Sequence, residues 1–105
     1  MEITATELKS KINSGEKMIV EFWAPWCGPC KVMKPTFERV GQSLLEQNSP
    51  VKMYTFNIES DKSVAIEFGV RSVPTIKSFS GGKELFTEIG MKDATALNMM
   101  VNRVL

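Results

Sequence analysis

A chain of 105 residues, 43% hydrophobic and 24% charged, has the size and make-up of one compact domain, which excludes the disordered and fibrous classes. Thirteen basic residues against twelve acidic ones leave a formal charge of +1, with no basic run that asks for nucleic acid or anionic lipid. No apolar stretch approaches the ~20 residues of a membrane helix, and MEITATELKSK lacks the apolar centre of a secretory signal, so a cytoplasmic protein without membrane contact is expected.

Thr4-Ala5-Thr6-Glu7 fits a capping box, in which a Thr hydroxyl and a Glu three residues on satisfy free N–H groups at a helix start. The first helix is expected to reach about Asn13 and to close at Ser14-Gly15. Met18 to Trp23 is a short, mostly apolar run, as expected for a strand buried on both faces, and Glu21 is its odd residue.

After Cys27, Met33, Phe37, Val40 and Leu44 recur at intervals of four, three and four, which places them on one face of a second helix running to about Gln47. Pro35 lies inside that helix and removes a backbone donor, so a kink is predicted about one turn in. Val51–Asn57 has strand character, and Ser63–Phe68 a short helix ended by Gly69. Thr75–Ser80, Gly81-Gly82 and Glu84–Ile89 form a hairpin signal, because paired glycines tolerate the positive φ of a tight turn. From Ala94, the residues Leu97, Met100, Val101 and Val104 mark one face of a terminal helix. A βαβ crossover followed by a hairpin and a helix implies a three-layer α/β domain with a mixed sheet, parallel first and antiparallel at one edge.

The only two cysteines, Cys27 and Cys30, sit together in FWAPWCGPCKVMKP. Two intervening residues bring the sulfurs within bonding reach when they open a helix. Cys27 then faces unpaired N–H groups and the positive end of the helix dipole, both of which favour thiolate. Gly28 and Pro29 suit the tight entry, since proline is tolerated where its missing donor has no partner. Zinc would need about four ligands, more than two cysteines and no histidine supply within one chain. An inert disulfide across so short a loop would constrain the unfolded chain very little. Reversible dithiol/disulfide exchange uses every one of these features.

FWAPWCGPCK, with Pro35 five residues beyond the second cysteine, resembles the thioredoxin family. The resemblance continues through Phe68-Gly69-Val70, Ser72-Val73-Pro74-Thr75, Gly81-Gly82 and Gly90, so one domain over 1–105 is implied. It implies a three-layer thioredoxin-like fold, with four to five strands in a mixed central sheet and four flanking helices. The implied activity is that of a general protein disulfide reductase, an electron carrier in cell redox homeostasis. Cys27 would be the exposed nucleophile, and Cys30 the shielded residue that resolves the mixed disulfide. No bound cofactor is implied, since the electrons reside on the Cys27–Cys30 pair. The partners implied are disulfide-containing target proteins and a recycling thioredoxin reductase, and the chain is expected to be a monomer.

Glu21 stands where thioredoxins typically carry a buried aspartate that assists proton transfer at the second cysteine. Burial would raise its pKa and suit it to that task, while an outward-pointing, solvated carboxylate is the competing possibility. Val73-Pro74-Thr75 resembles the family's cis-proline turn, which presents backbone groups to an extended peptide. By the same resemblance, Trp26, Gly28, Pro29, Val73, Gly90 and Met91 match the substrate groove, and Trp23 packs beneath it. Lys31 and Lys34 are expected to be solvated surface lysines, with a modest pull toward thiolate at the cysteines as the competing possibility.

The chain also departs from the pattern. Many members carry a lysine near the buried acid where this sequence has Thr55, which would leave Glu21 without a cationic neighbour. Only Met1-Glu2-Ile3 precede the first cap, so the first edge strand is expected to be vestigial. Two other functions remain open. A glutaredoxin-like, glutathione-coupled enzyme usually has proline and tyrosine between its cysteines, and a binding subunit of a larger complex would not need Cys27 at all.

Overall fold

The computed structural model describes residues 1–105. At the start of α1 (Ala5–Asn13), the Glu7 N–H donates to the Thr4 hydroxyl at 3.1 Å and the Thr4 N–H donates to the Glu7 carboxylate at 2.9 Å. The predicted capping box is therefore complete. Strand β1 (Met18–Trp23) follows, then α2 (Gly28–Glu46), β2 (Lys52–Asn57), α3 (Lys62–Glu67), the hairpin β3 (Thr75–Ser80) and β4 (Lys83–Ile89), and α4 (Ala94–Val104). α3 begins one residue earlier than its apolar pattern suggests. Asp61 caps it, its carboxylate accepting from the Ser63 N–H at 3.1 Å.

The strand order is β2-β1-β3-β4, with β1 parallel to β2 and antiparallel to β3, and β3 antiparallel to β4. This is the mixed sheet expected from the element order. Gly81 and Gly82 make the hairpin turn at φ +62° and +83°, a region that side chains with a Cβ disfavour. The vestigial strand is present as a single parallel bridge. The Ile3 N–H donates to the Thr55 carbonyl, and the Thr55 N–H to the Met1 carbonyl, both at 2.9 Å.

Strand alternation divides the core into two layers. Ile19, Met53 and Ile76 pack with Met33, Phe37, Val40 and Leu44 of α2 and with Leu97, Met100, Val101 and Val104 of α4. Met18, Val20, Phe22, Tyr54, Phe56 and Phe79 pack on the opposite face against Leu8 of α1 and Val64 of α3. Helices thus cover both faces, which is why β1 is apolar almost throughout. Because side chains alternate along a strand, Glu21 shares the face of Ile19 and lies under α2.

Candidate active site

Cys27 is the N-cap of α2 and Cys30 its third residue, so the helix start itself brings the two sulfurs together. They are bonded, with Cα atoms 5.3 Å apart. The Cys30 N–H donates to Cys27 Sγ at 3.2 Å, so one of the free donors of the first helical turn is aimed at that sulfur. One expectation is corrected here. Cys27 and Cys30 are each only 3% exposed, so Cys27 is not the more open residue in this oxidised state. The S–S bond holds both sulfurs in one small cluster with Ala24, against Trp23, Ile58 and Val73. What distinguishes the two sulfurs is the helical N–H that Cys27 receives.

Glu21 is buried, at 3% exposure, which removes the outward-pointing alternative. It lines a cleft of about 400 Å³ together with Cys30, Glu2, Trp23, Lys34 and Thr55. Burial pushes its carboxyl up to about 7, the Glu2 carboxylate adds to that rise, and the Lys34 ammonium opposes it. The expected absence of a cationic neighbour is therefore corrected as well. Thr55 does stand opposite Glu21 in the β1/β2 register, but α2 supplies a cation, because Lys34 lies one turn beyond Cys30 on the same helical face.

Glu2 is the residue that motif reasoning missed. Its Oε1 accepts from Trp23 Nε1 at 2.8 Å and from Thr55 Oγ1 at 2.6 Å, and its Oε2 accepts from the Asn57 N–H at 2.9 Å. The only available signal was the expected edge strand over Met1-Glu2-Ile3, since a parallel register against Thr55 brings Glu2 to the cleft.

The other predicted residues gather on the outer side of the cysteines. The Val73–Pro74 bond is cis, Pro74 is buried, and its carbonyl accepts from the Gly90 N–H at 2.9 Å. That bond joins the proline turn to the Gly90-Met91 segment. Gly90 has φ +96°, which a side chain would strain. The next amide but one, of Lys92, donates to the buried Met33 sulfur at 3.3 Å, so Met91 is presented between two inward-tied N–H groups. Met91 is 53% exposed and Trp26 66%, while Gly28 and Pro29 are exposed at the first two positions of α2. Trp26 and Met91 thus leave large apolar side chains in water around the buried Cys27–Cys30 bond. Trp23 is half-buried against the cysteine cluster, as expected of a residue beneath the site. No group of three or more His, Cys, Asp or Glu side chains is placed to hold a metal ion.

Comparison with known proteins gives a consistent result. The family model for thioredoxin matches residues 1–103. A thioredoxin of Pyropia yezoensis is 32% identical over 103 residues, covering 97% of this chain and 94% of the relative. Thioredoxin 1 of Synechococcus elongatus is 36% identical over 93 residues, covering 89% of this chain and 84% of the relative. Among solved structures, the thioredoxin of Plasmodium falciparum superposes with a TM-score of 0.85 at 26% identity, covering 97% of this chain and 96% of that one.

Proposed function

The chain belongs to the thioredoxin family and is a thioredoxin-type protein-disulfide oxidoreductase acting on disulfide-containing targets, and on that basis we propose the following roles for its residues. Cys27, as thiolate, attacks one sulfur of a target disulfide, forming a mixed disulfide and expelling the other target sulfur as thiolate. Cys30 then gives its proton to the Glu21 carboxylate and attacks Cys27 Sγ. The Cys27–Cys30 bond forms and the second target thiolate leaves, so that two electrons pass to the target. In the return half, an incoming dithiol opens the Cys27–Cys30 bond and protonated Glu21 returns the proton to Cys30. No bound cofactor enters either half.

The observation that carries this proposal is the Cys27–Cys30 bond at the N-cap of α2, with the buried Glu21 carboxyl in the cleft that Cys30 lines. Proton exchange near neutrality needs a group whose pKa lies close to the working pH, and a carboxyl pushed up to about 7 meets that need. The exposed Trp26 and Met91 support peptide docking beside Pro74, with main-chain hydrogen bonds giving affinity and little sequence demand. Gly28, Pro29, Val73 and Gly90 complete the groove. The protein works as one monomeric domain in the cytoplasm, carrying electrons from a thioredoxin reductase to its targets.

The test is the equilibrium potential of the Cys27/Cys30 couple, titrated in defined thiol redox buffers. A value below the cytosolic glutathione poise is expected of a general reductase. A value well above it would make the protein an oxidant and overturn this direction of electron flow.

A further inference from the structure

The cleft beneath Cys30 contains a carboxylate that the chemistry above does not use. Glu2 comes from the N-terminal segment and crosses to β1 and β2, where its two oxygens collect three hydrogen bonds, at 2.8 Å from Trp23, 2.6 Å from Thr55 and 2.9 Å from Asn57. None of these donors is cationic, so the negative charge is fixed in place without being neutralised. A surface glutamate with no task would be free to swing into water. This one is clamped at the cleft that Glu21 and Cys30 share.

We propose that Glu2 is a positioning residue for the proton exchange between Glu21 and Cys30, its clamped charge acting on the Glu21 carboxyl across their common cleft. The inference rests on Glu21 being the proton partner of Cys30. The other charged groups lining the cleft are Lys31, Lys34 and Glu38 from α2, with Met1 beside Glu2, while the facing residue of β2, Thr55, is uncharged. Glu2 and Lys34 act on Glu21 in opposite senses, Glu2 favouring its protonated form and Lys34 its carboxylate. The consequence belongs to the oxidised protein. When an incoming dithiol breaks the Cys27–Cys30 bond, Cys30 leaves as a thiolate and needs one proton, and Glu2 adds to the effect of burial in favouring the protonated form of Glu21 that supplies it.

The experiment follows the Glu21 carboxyl by carbon-13 NMR titration in the oxidised full chain, for the parent, Glu2→Gln, Glu2→Asp and Trp23→Phe. The rate at which dithiothreitol reduces the Cys27–Cys30 bond is measured in parallel across neutral pH. Glu2→Gln is expected to lower the Glu21 midpoint by about half a pH unit and to move the inflection in the reduction rate the same way. Glu2→Asp, which keeps the charge on a side chain one methylene shorter, is displaced less than Glu2→Gln. Trp23→Phe removes one arm of the clamp without changing any charge, and it lowers the midpoint too. An unmoved midpoint in Glu2→Gln or in Trp23→Phe overturns the proposal, as does a Glu2→Asp chain displaced as far as Glu2→Gln, which is the pattern of a purely structural clamp. Glu21→Gln separates the underlying assignment: if its reduction profile matches the parent, Glu21 is not the proton partner of Cys30, whatever Glu2 does to its titration.

Discussion

Glu21 and Thr55 face each other across the parallel pair β1/β2, and the Thr55 hydroxyl donates to Glu2 at 2.6 Å. The cross-strand neighbour of the buried acid thus tethers a second acid. Placing a cation there should reverse the local balance. Thr55→Lys is expected to lower the Glu21 midpoint from about 7 toward the ordinary 4.5, both by charge and by releasing one arm of Glu2. Carbon-13 titration of the carboxyl reads the effect, and a midpoint that stays or rises would contradict it.

The raised Glu21 pKa has a stability consequence of definite sign. Between about 4.5 and 7 the folded protein holds a proton that the unfolded chain has released, so stability is greatest below this window and falls as pH rises through it. The loss reaches up to about 3 kcal/mol for a group so buried, and adds nothing further above the folded pKa. Urea midpoints of the oxidised protein at a series of pH values should show the decline. Glu21→Gln should flatten it and be the more stable chain at alkaline pH.

Serine substitution separates the two sulfurs. Cys27→Ser is expected to abolish reduction of protein disulfides, because no attacking thiolate remains at the helix start. Cys30→Ser should still attack but fail to resolve, accumulating a mixed disulfide between Cys27 and the target that mass spectrometry detects under non-reducing conditions. Retention of full activity by Cys27→Ser would mean that the pair is dispensable.

The exposed rim is expected to act on large substrates only. Trp26→Ala together with Met91→Ala should raise KM for a folded protein disulfide by about fivefold or more, the usual size for losing apolar anchors at an interface. Turnover of a small linear disulfide such as bis(2-hydroxyethyl) disulfide should be unchanged. Equal losses on both substrates would show that these side chains shape the cysteines and not the docking surface.

Away from the site, Thr4→Ala removes one half of the capping box at α1 and should cost about 1 kcal/mol, measured as a shift of the urea midpoint at constant slope. Activity per folded molecule should be unaffected.

Much of the fold was legible in the sequence because it is written in short-range patterns. The alternation that buries β1, the four-three-four spacing of Met33, Phe37, Val40 and Leu44, the Thr4/Glu7 cap and the Gly81-Gly82 turn each lie within about one or two turns or strand residues of their partners. The cysteine pair belongs to the same class, since three residues of one helix start bring the sulfurs together. Glu21 could be singled out as a charge interrupting an apolar strand, although its surroundings could not be read there.

Those surroundings come from three separate places. The N-terminal bridge brings Glu2, β2 brings Thr55, and the second turn of α2 brings Lys34. Which of them meets Glu21 depends on strand register and on how α2 lies over the sheet, and neither is encoded in any local window. The equal burial of Cys27 and Cys30 is likewise a tertiary result, set by Ala24, Trp23, Ile58 and Val73 closing around the bond. By itself the sequence determined the reactive pair, the acid behind it and the order of elements. The tertiary structure alone decided which charges share the cleft, because electrostatic neighbours are chosen by distance in space and not along the chain.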